Sequence, residues 1–218
     1  MTKAADIYAA HADALAAQNS RIYGPPVLGD IWGGPTAAQF RFDPHRQLDA
    51  NLAVMASYVE PDDVLIDVGG GAGRVSLPLS LRCREIVNVE PSPGMSNEFT
   101  SLTEESGIKN ARLVAANWLE AEGIQSDVVT TSDVTYFVRD IVPFIEKMEA
   151  AARRRVMITV WSEPPPNRGA GLFRRVYGEG IGRSARRLGV ARTVVVGDLV
   201  GTGSRTSPGA GAGRELAP

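Results

Sequence analysis

Short apolar runs alternate with longer mixed segments through the middle of the chain. Residues 64–68 form such a run, which ends in a cluster of glycines. Continuous apolar runs of this length are typical of strands that are buried on both faces of a parallel sheet. The predicted strands are 64–68, 85–90, 111–115, 127–131 and 156–161, and the predicted helices between them are 73–82, 96–105 and 141–152. This order predicts an α/β fold with an open, doubly wound, mostly parallel sheet.

The amino-terminal part of the chain is different in pattern. Residues 2–18 are rich in alanine and contain neither glycine nor proline, which predicts a helix. Residues 20–42 combine turn formers with aromatic residues and predict an irregular cap over the sheet. The aromatic residues of this cap are Tyr23, Trp32, Phe40 and Phe42. Asp43 and Pro44 then predict the N-cap and first position of a helix that Pro61 ends.

The carboxyl-terminal segment has an unusual composition. Beyond Tyr177 there is no aromatic residue and no lysine, and glycine and arginine dominate to the end. Only residues 193–196 have the pattern of a strand, and we expect the rest to be a flexible tail. We therefore divide the chain into a cap (1–42), an α/β domain (43–161) and an atypical segment (162–218). The hypothesis for this segment is truncation or a shifted reading frame, with the usual last antiparallel strands missing.

Composition excludes several classes of protein. The formal net charge is -2 and the isoelectric point is about 5.8, so no basic surface predicts nucleic-acid or membrane binding. Cys83 is the single cysteine, which excludes an intramolecular disulfide and multi-cysteine zinc sites, and the sequence requires no metal. No apolar stretch has the length of a transmembrane helix or the form of a signal peptide. We therefore expect a cytoplasmic protein.

The glycine cluster after the first strand carries the most specific chemistry. Residues 67–73 read D-V-G-G-G-A-G, at the turn where a strand enters a helix. The dinucleotide fingerprint G-x-G-x-x-G fails here, because Arg74 and Ser76 stand where the third glycine would be. A carboxylate at Asp67 would repel a pyrophosphate, whereas it would attract a ligand with a positive group. The pattern therefore makes a nicotinamide dehydrogenase a remote alternative.

Across residues 43–161 the chain resembles the class I S-adenosylmethionine-dependent methyltransferases, which have a Rossmann-like fold. Asp67, Gly69, Gly71 and Gly73 match the family's first motif, which surrounds the methionine part of the cofactor. Glu90 stands at the end of the second strand, where an acid binds both ribose hydroxyls. Asn117 and Trp118 follow the third strand, where the family reads the adenine amino group. Residues 132–136 follow the fourth strand and would face the transferred methyl group.

The resemblance implies S-adenosyl-L-methionine as cofactor and in-line transfer of its methyl group to an O, N or C atom of an acceptor. The aromatic cap suits a small organic acceptor. Purely structural interpretations stay open for several residues. Asparagine is common in any loop after a strand, which weakens the assignment of Asn117, and Trp118 could pack in the core. Asp133 and Tyr136 could also be structural. No catalytic residue is assigned, although His11, His45, Asp133 and Tyr136 are available as bases. The alternative function is an inactive cofactor-binding or partner protein with an incomplete carboxyl end.

Overall fold

The computed structural model describes residues 3–24, 29–161, 170–178 and 192–198. They form one six-stranded sheet with the order β3-β2-β1-β4-β5-β6. The strands are β1 (Val64–Val68), β2 (Glu85–Val89), β3 (Ala111–Val114), β4 (Ser126–Ser132), β5 (Ala152–Trp161) and β6 (Arg192–Asp198). Strands β1 to β5 are parallel, and β6 pairs antiparallel with β5. The predicted doubly wound, Rossmann-like α/β fold is therefore confirmed.

Helices connect and cover these strands. They are α1 (Ala4–Tyr23), α2 (Pro35–Ala38), α3 (Ala50–Ala56), α4 (Ser76–Ser80), α5 (Pro93–Glu105), α6 (Ile141–Ala151) and α7 (Ala170–Tyr177), with a 3-10 turn at Thr135–Phe137. Strands β1 and β4 are neighbours at the centre of the sheet. From β1 the strand order runs outward through β2 and β3, and from β4 it runs outward in the opposite direction through β5 and β6. Ligands of doubly wound sheets bind at this switch point, beyond the carboxyl ends of the strands. None of the helices among the described residues is long and apolar enough to cross a membrane.

The core lies on both faces of the sheet, because β1 carries apolar side chains on each face. Ile66 and Val68 point to one face, where they pack with Phe144 and Met148 of α6. Leu65 points to the other face, together with side chains from α3 and α4. Every residue of β1 is buried, including Asp67. The strand that carries the candidate acid is thus fixed from two sides.

Several predicted element boundaries are wrong for local reasons. Asp49, not Asp43, caps the helix before β1, because its side chain accepts hydrogen bonds from the amides of Asn51 and Leu52. The Asp43 carboxylate instead accepts from the amide of His45 in a turn. Helix α5 begins three residues earlier than predicted, because Ser92 is its N-cap and Pro93 its first residue.

The carboxyl-terminal segment contributes one strand to the sheet. Residues 193–196 lie within β6, which pairs with β5 from Arg155 to Trp161. The expectation that the last antiparallel strands are missing is wrong for this strand, because three consecutive valines suffice to continue the sheet. The predicted tail and any truncation or frameshift fall mainly on residues outside the described ranges. The division into 1–42, 43–161 and 162–218 stays a prediction.

Candidate active site

The glycine turn sits between β1 and α4 at the switch point of the sheet. Gly69, Gly71 and Gly73 have φ angles of 67°, 56° and 87°, in the left-handed region that favours glycine. The Gly69 amide donates to the carbonyl of Val89, which ties the turn to β2. A Cβ atom on Gly71 would meet only the Met95 sulfur, at 3.6 Å, so this side of the turn leaves room for a ligand.

Gly70 marks the tightest point of the turn. A Cβ atom there would lie 2.4 Å from Oδ1 of Asn88 and 2.6 Å from Oδ2 of Asp67. Asn88 is fully buried in β2, opposite Asp67, and its amide donates to the carbonyl of Gly71 at 2.9 Å. The turn is therefore folded directly onto two polar side chains. Asn88 is not among the predicted site residues, although a carboxamide inside a buried apolar strand is a usable sequence signal.

Asp67 is a buried carboxyl group that has no hydrogen-bond donor of regular geometry among the described residues. It is 1% exposed, and among the described residues neither carboxylate oxygen has a hydrogen-bond partner. Burial raises its pKa from 3.8 to about 6. The hydroxyl and amide of Ser76, which lie near the carboxylate without regular hydrogen-bond geometry, and the charge of Arg74 limit the rise without removing it. Buried acceptors in native proteins almost always have a donor. A cationic ligand that brings its own N–H groups would supply one.

Glu90 is buried at the end of β2 and accepts a hydrogen bond from the same glycine turn. Its Oε2 atom accepts from the Gly71 amide at 2.9 Å, and its Oε1 atom accepts from the Ser92 amide at 2.8 Å. Burial raises the pKa of Glu90 above its usual value, and the two amide hydrogen bonds reduce this rise without cancelling it. Each carboxylate oxygen has a further lone pair, so the group can still accept from two hydroxyls of a ligand. A ligand with two hydroxyl groups on adjacent carbon atoms would fit this arrangement of acceptors.

Asn117 and Trp118 lie after β3, in different surroundings. Asn117 is exposed, and its Oδ1 atom accepts from the Leu119 amide. Trp118 is 4% exposed and lies in the core, where its indole N–H donates to the carbonyl of Phe144. The Trp118 ring is therefore part of the core, whereas Asn117 lies on the surface.

The loop after β4 closes the other side of the turn. Val134 packs on Gly69, where a Cβ atom would come within 2.7 Å of the valine side chain. Asp133 has a φ angle of 63°, unusual for a residue other than glycine, and forms an ion pair with Arg74 at 3.0 Å. The Tyr136 hydroxyl accepts from the amide of Trp161, so it joins the ends of β4 and β5. Both polar side chains therefore hold the loop together.

The predicted aromatic cap lies over these loops. Trp32 makes edge-to-face contacts with Phe40 at 5.9 Å and with Phe137 at 5.6 Å between ring centroids. Below them, Ala37 packs with Ala72 of the turn. Phe42 lies aside, under the guanidinium of Arg46, and the Tyr23 side chain lies outside the described part.

Helix α1 reaches the same loop from above. The Tyr8 hydroxyl donates to the carbonyl of Thr135, and Arg139 forms an ion pair with Asp13. His11 and His45 are both exposed. In the described residues, no group of three or more His, Cys, Asp and Glu side chains could hold a metal ion.

Comparison with known proteins finds similarity to a methyltransferase domain. A family profile described as a methyltransferase domain matches residues 66–158. A curated protein of Haemophilus influenzae, named only as an uncharacterized protein, is 28% identical over 108 residues, which cover 49% of this chain and 40% of that protein. The chain thus spans about two fifths of the length of that relative.

Solved structures share the fold. The YcgJ protein of Bacillus subtilis superimposes with a TM-score of 0.50 at 17% identity, over 61% of each chain. The magnesium protoporphyrin IX methyltransferase of Synechocystis PCC 6803, with S-adenosylhomocysteine bound, gives 0.50 at 17% identity, over 65% of this chain and 71% of that one. The profile match and the switch-point site together confirm the resemblance. Residues 66–158 thus match a methyltransferase-domain profile, and the sheet has the fold of the class I methyltransferases.

Proposed function

We propose that this protein transfers the methyl group of S-adenosylmethionine to an O, N or C atom of a small organic acceptor. The observation that carries the proposal is the buried Asp67 carboxyl, without a regular donor, beside a glycine turn that Glu90 also grips. An amino acid ammonium supplies the missing N–H groups and the compensating positive charge. When bound, the cofactor supplies a methyl group on a positively charged sulfur, which a nucleophile attacks in line.

Each proposed binding residue has a separate task. Asp67 attracts the ammonium group, and Gly69, Gly71 and Gly73 let the backbone approach the ligand closely. Glu90 accepts from the two ribose hydroxyls through its remaining lone pairs. Asn117 accepts from the adenine amino group through Oδ1, and Trp118 fixes the loop that carries Asn117. We assign no metal to the site.

The acceptor would enter between the cap and the loop after β4. Trp32, Phe40 and Phe137 offer aromatic surface there, and Phe137 is 62% exposed. Aromatic walls with few polar groups suit a small organic molecule. Catalysis then rests on holding the two reactants in line and excluding water. The cap (1–42), the α/β domain (43–161) and the segment 162–218 are our proposed divisions of the chain.

Calorimetric titration with S-adenosylmethionine and S-adenosylhomocysteine tests the proposal. We expect the Asp67→Ala and Glu90→Ala variants to lose most of the affinity, and the exposed Asp62→Ala variant to bind like the wild type. A wild-type protein that is folded and binds neither compound would refute the proposal. If binding is found, release of S-adenosylhomocysteine with a panel of phenols, amines and carbon acids separates an active enzyme from an inactive cofactor-binding protein.

A further inference from the structure

Two acidic residues from distant parts of the chain meet at Ser92. The Ser92 amide donates to Oε1 of Glu90 at 2.8 Å. The Ser92 hydroxyl donates to the carboxylate of Asp30, whose two oxygens lie 2.8 and 2.9 Å away. The residue that positions the proposed ribose-binding acid is therefore itself held by the amino-terminal cap.

Asp30 collects further donors at the start of α5. Its Oδ2 atom accepts from the Gly94 amide at 2.7 Å, and its Oδ1 atom accepts from the Trp32 amide at 3.1 Å. The Gly94 hydrogen bond, followed by the Ser92 hydroxyl, lowers the pKa of Asp30. A carboxylate at a helix amino terminus is also favoured by the helix dipole. This solvent-exposed side chain is thus fixed by three donors, which are the Ser92 hydroxyl and the amides of Gly94 and Trp32.

The backbone is closely fitted at the same place. A Cβ atom on Gly94 would lie 2.4 Å from Cα of Gly33 and 2.9 Å from Oδ2 of Asp30. The φ angle of Gly94 is ordinary, so the close approach of the cap, and not backbone strain, is what a larger residue would disturb.

Beyond Asp30, the amino-terminal cap passes over the candidate active site. Trp32 contacts Phe137 in the loop after β4, and Ala37 packs against Ala72 of the glycine turn and Met95 of α5. A second attachment lies farther along α5, where Arg41 forms ion pairs with Glu98 and Glu105 at 2.7 and 2.6 Å. Of the two attachments, Asp30 is the one that touches the partner of Glu90.

We propose that Asp30 is a positioning residue of the cofactor site: it fastens the cap to the turn after β2 and holds Ser92, which in turn holds Glu90. This inference rests on the proposed function, because it concerns the ribose end of the same cofactor. Asp30 touches no ligand itself. It sets the position of the acid that does, and it couples that acid to the cap that covers the acceptor side.

Two variants break this contact by different means. Asp30→Ala removes the carboxylate, and Gly94→Ala keeps it but adds a Cβ atom that pushes the cap away. We expect each to weaken the binding of S-adenosylhomocysteine and of adenosine by about tenfold, the loss of roughly one hydrogen bond to a charged group. The double variant should bind no worse than either single one, because both act on one contact.

The controls separate this role from general support of the cap. Arg41→Ala releases the second attachment without touching Ser92, and Asp62→Ala removes an exposed acid elsewhere; both should keep the wild-type affinity. The pH profile gives a second readout. Burial raises the pKa of Glu90, and the negative charge of Asp30 raises it further. In Asp30→Asn the loss of adenosine binding at acidic pH should therefore shift to lower pH, and in Asp62→Asn it should not.

The outcomes distinguish the two proposals. If the wild type binds neither S-adenosylhomocysteine nor adenosine, the proposed function is wrong. If the wild type binds, Glu90→Ala does not, and folded Asp30→Ala and Gly94→Ala bind normally, the function stands and the role of Asp30 is wrong. Equal losses in Arg41→Ala and Asp30→Ala would also overturn it, since the cap would then act only as a cover. Circular dichroism and thermal unfolding verify folding, and Gly94→Ala decides the matter if Asp30→Ala does not fold.

Discussion

At the scale of single residues, Asp67 links stability to function. Burial raises its pKa from 3.8 to about 6, so the folded protein binds this proton more tightly than the unfolded chain does. Stability from this group is therefore fully present below about pH 4 and is lost as the pH rises to 6. The loss amounts to roughly 3 kcal/mol, since one pKa unit corresponds to about 1.4 kcal/mol.

Asp67→Asn should remove this loss. We expect the variant to be more stable than the wild type by about 1–3 kcal/mol at pH 7.5, with little difference at pH 4. Urea unfolding at the two pH values measures the effect. Asp62→Asn, at an exposed position, serves as the control and should change neither value. A destabilised Asp67→Asn protein at pH 7.5 would show that the buried charge is paired in the free protein.

The same carboxyl group predicts a proton release on binding. An ammonium group beside Asp67 lowers its pKa, so at pH 6 the bound complex holds fewer protons than the free protein and ligand. Titration calorimetry in buffers of different ionisation enthalpy should show up to about half a proton released at pH 6 and almost none at pH 8. Asp67→Asn should release none at either pH. Proton uptake by the wild type at pH 6, where the ligand's amino group is already protonated, would contradict an ammonium at this position.

Residue chemistry could be predicted where a strand end forces it. Asp67 and Glu90 lie near each other because β1 and β2 are parallel neighbours, and the glycine turn links them. Asn88 and Asp30 could not be derived in this way. The first needs the register of β2 against β1, and the second needs a contact between segments 62 residues apart in sequence. Short-range patterns contain neither contact, although a carboxamide inside an apolar strand marks Asn88 itself as unusual.

At the scale of elements, the glycine turn is limited by contact as well as by dihedral angles. Gly70→Ala should force Asp67 and Asn88 apart, because the added Cβ atom would lie within 2.6 Å of both side chains. We expect a destabilisation of about 1–3 kcal/mol and loss of S-adenosylhomocysteine binding, measured by thermal unfolding and calorimetry. Gly171→Ala is the control, since open space surrounds this position in α7, and it should be neutral or slightly stabilising. Normal binding by Gly70→Ala would mean that the turn relaxes without moving the two polar groups.

Element type was easier to predict than element ends. The strands followed from apolar runs that needed both faces buried, and β1 has the predicted bounds. Helix starts depend on which of several polar residues reaches a free amide. Asp43 and Asp49 are both acceptable caps, and only the packing of Leu52 and Met55 against the sheet places the helix start at Ala50.

At the scale of the whole molecule, the sheet edge at β5 decides stability separately from the site. β6 covers this edge over seven paired residues, whereas the proposed binding residues all lie in β1 and in the turns after β1, β2 and β3. A chain ending at residue 199 keeps β6, and one ending at 191 loses it. We expect the longer chain to unfold like the full protein and the shorter one to unfold roughly 10 °C lower, for a loss of about 3 kcal/mol, and to associate through its open edge. Below its transition the shorter chain should bind S-adenosylhomocysteine with near-normal affinity. Equal melting temperatures would refute a stabilising role for β6, and a selective loss of affinity would mean that the edge strand shapes the cofactor site.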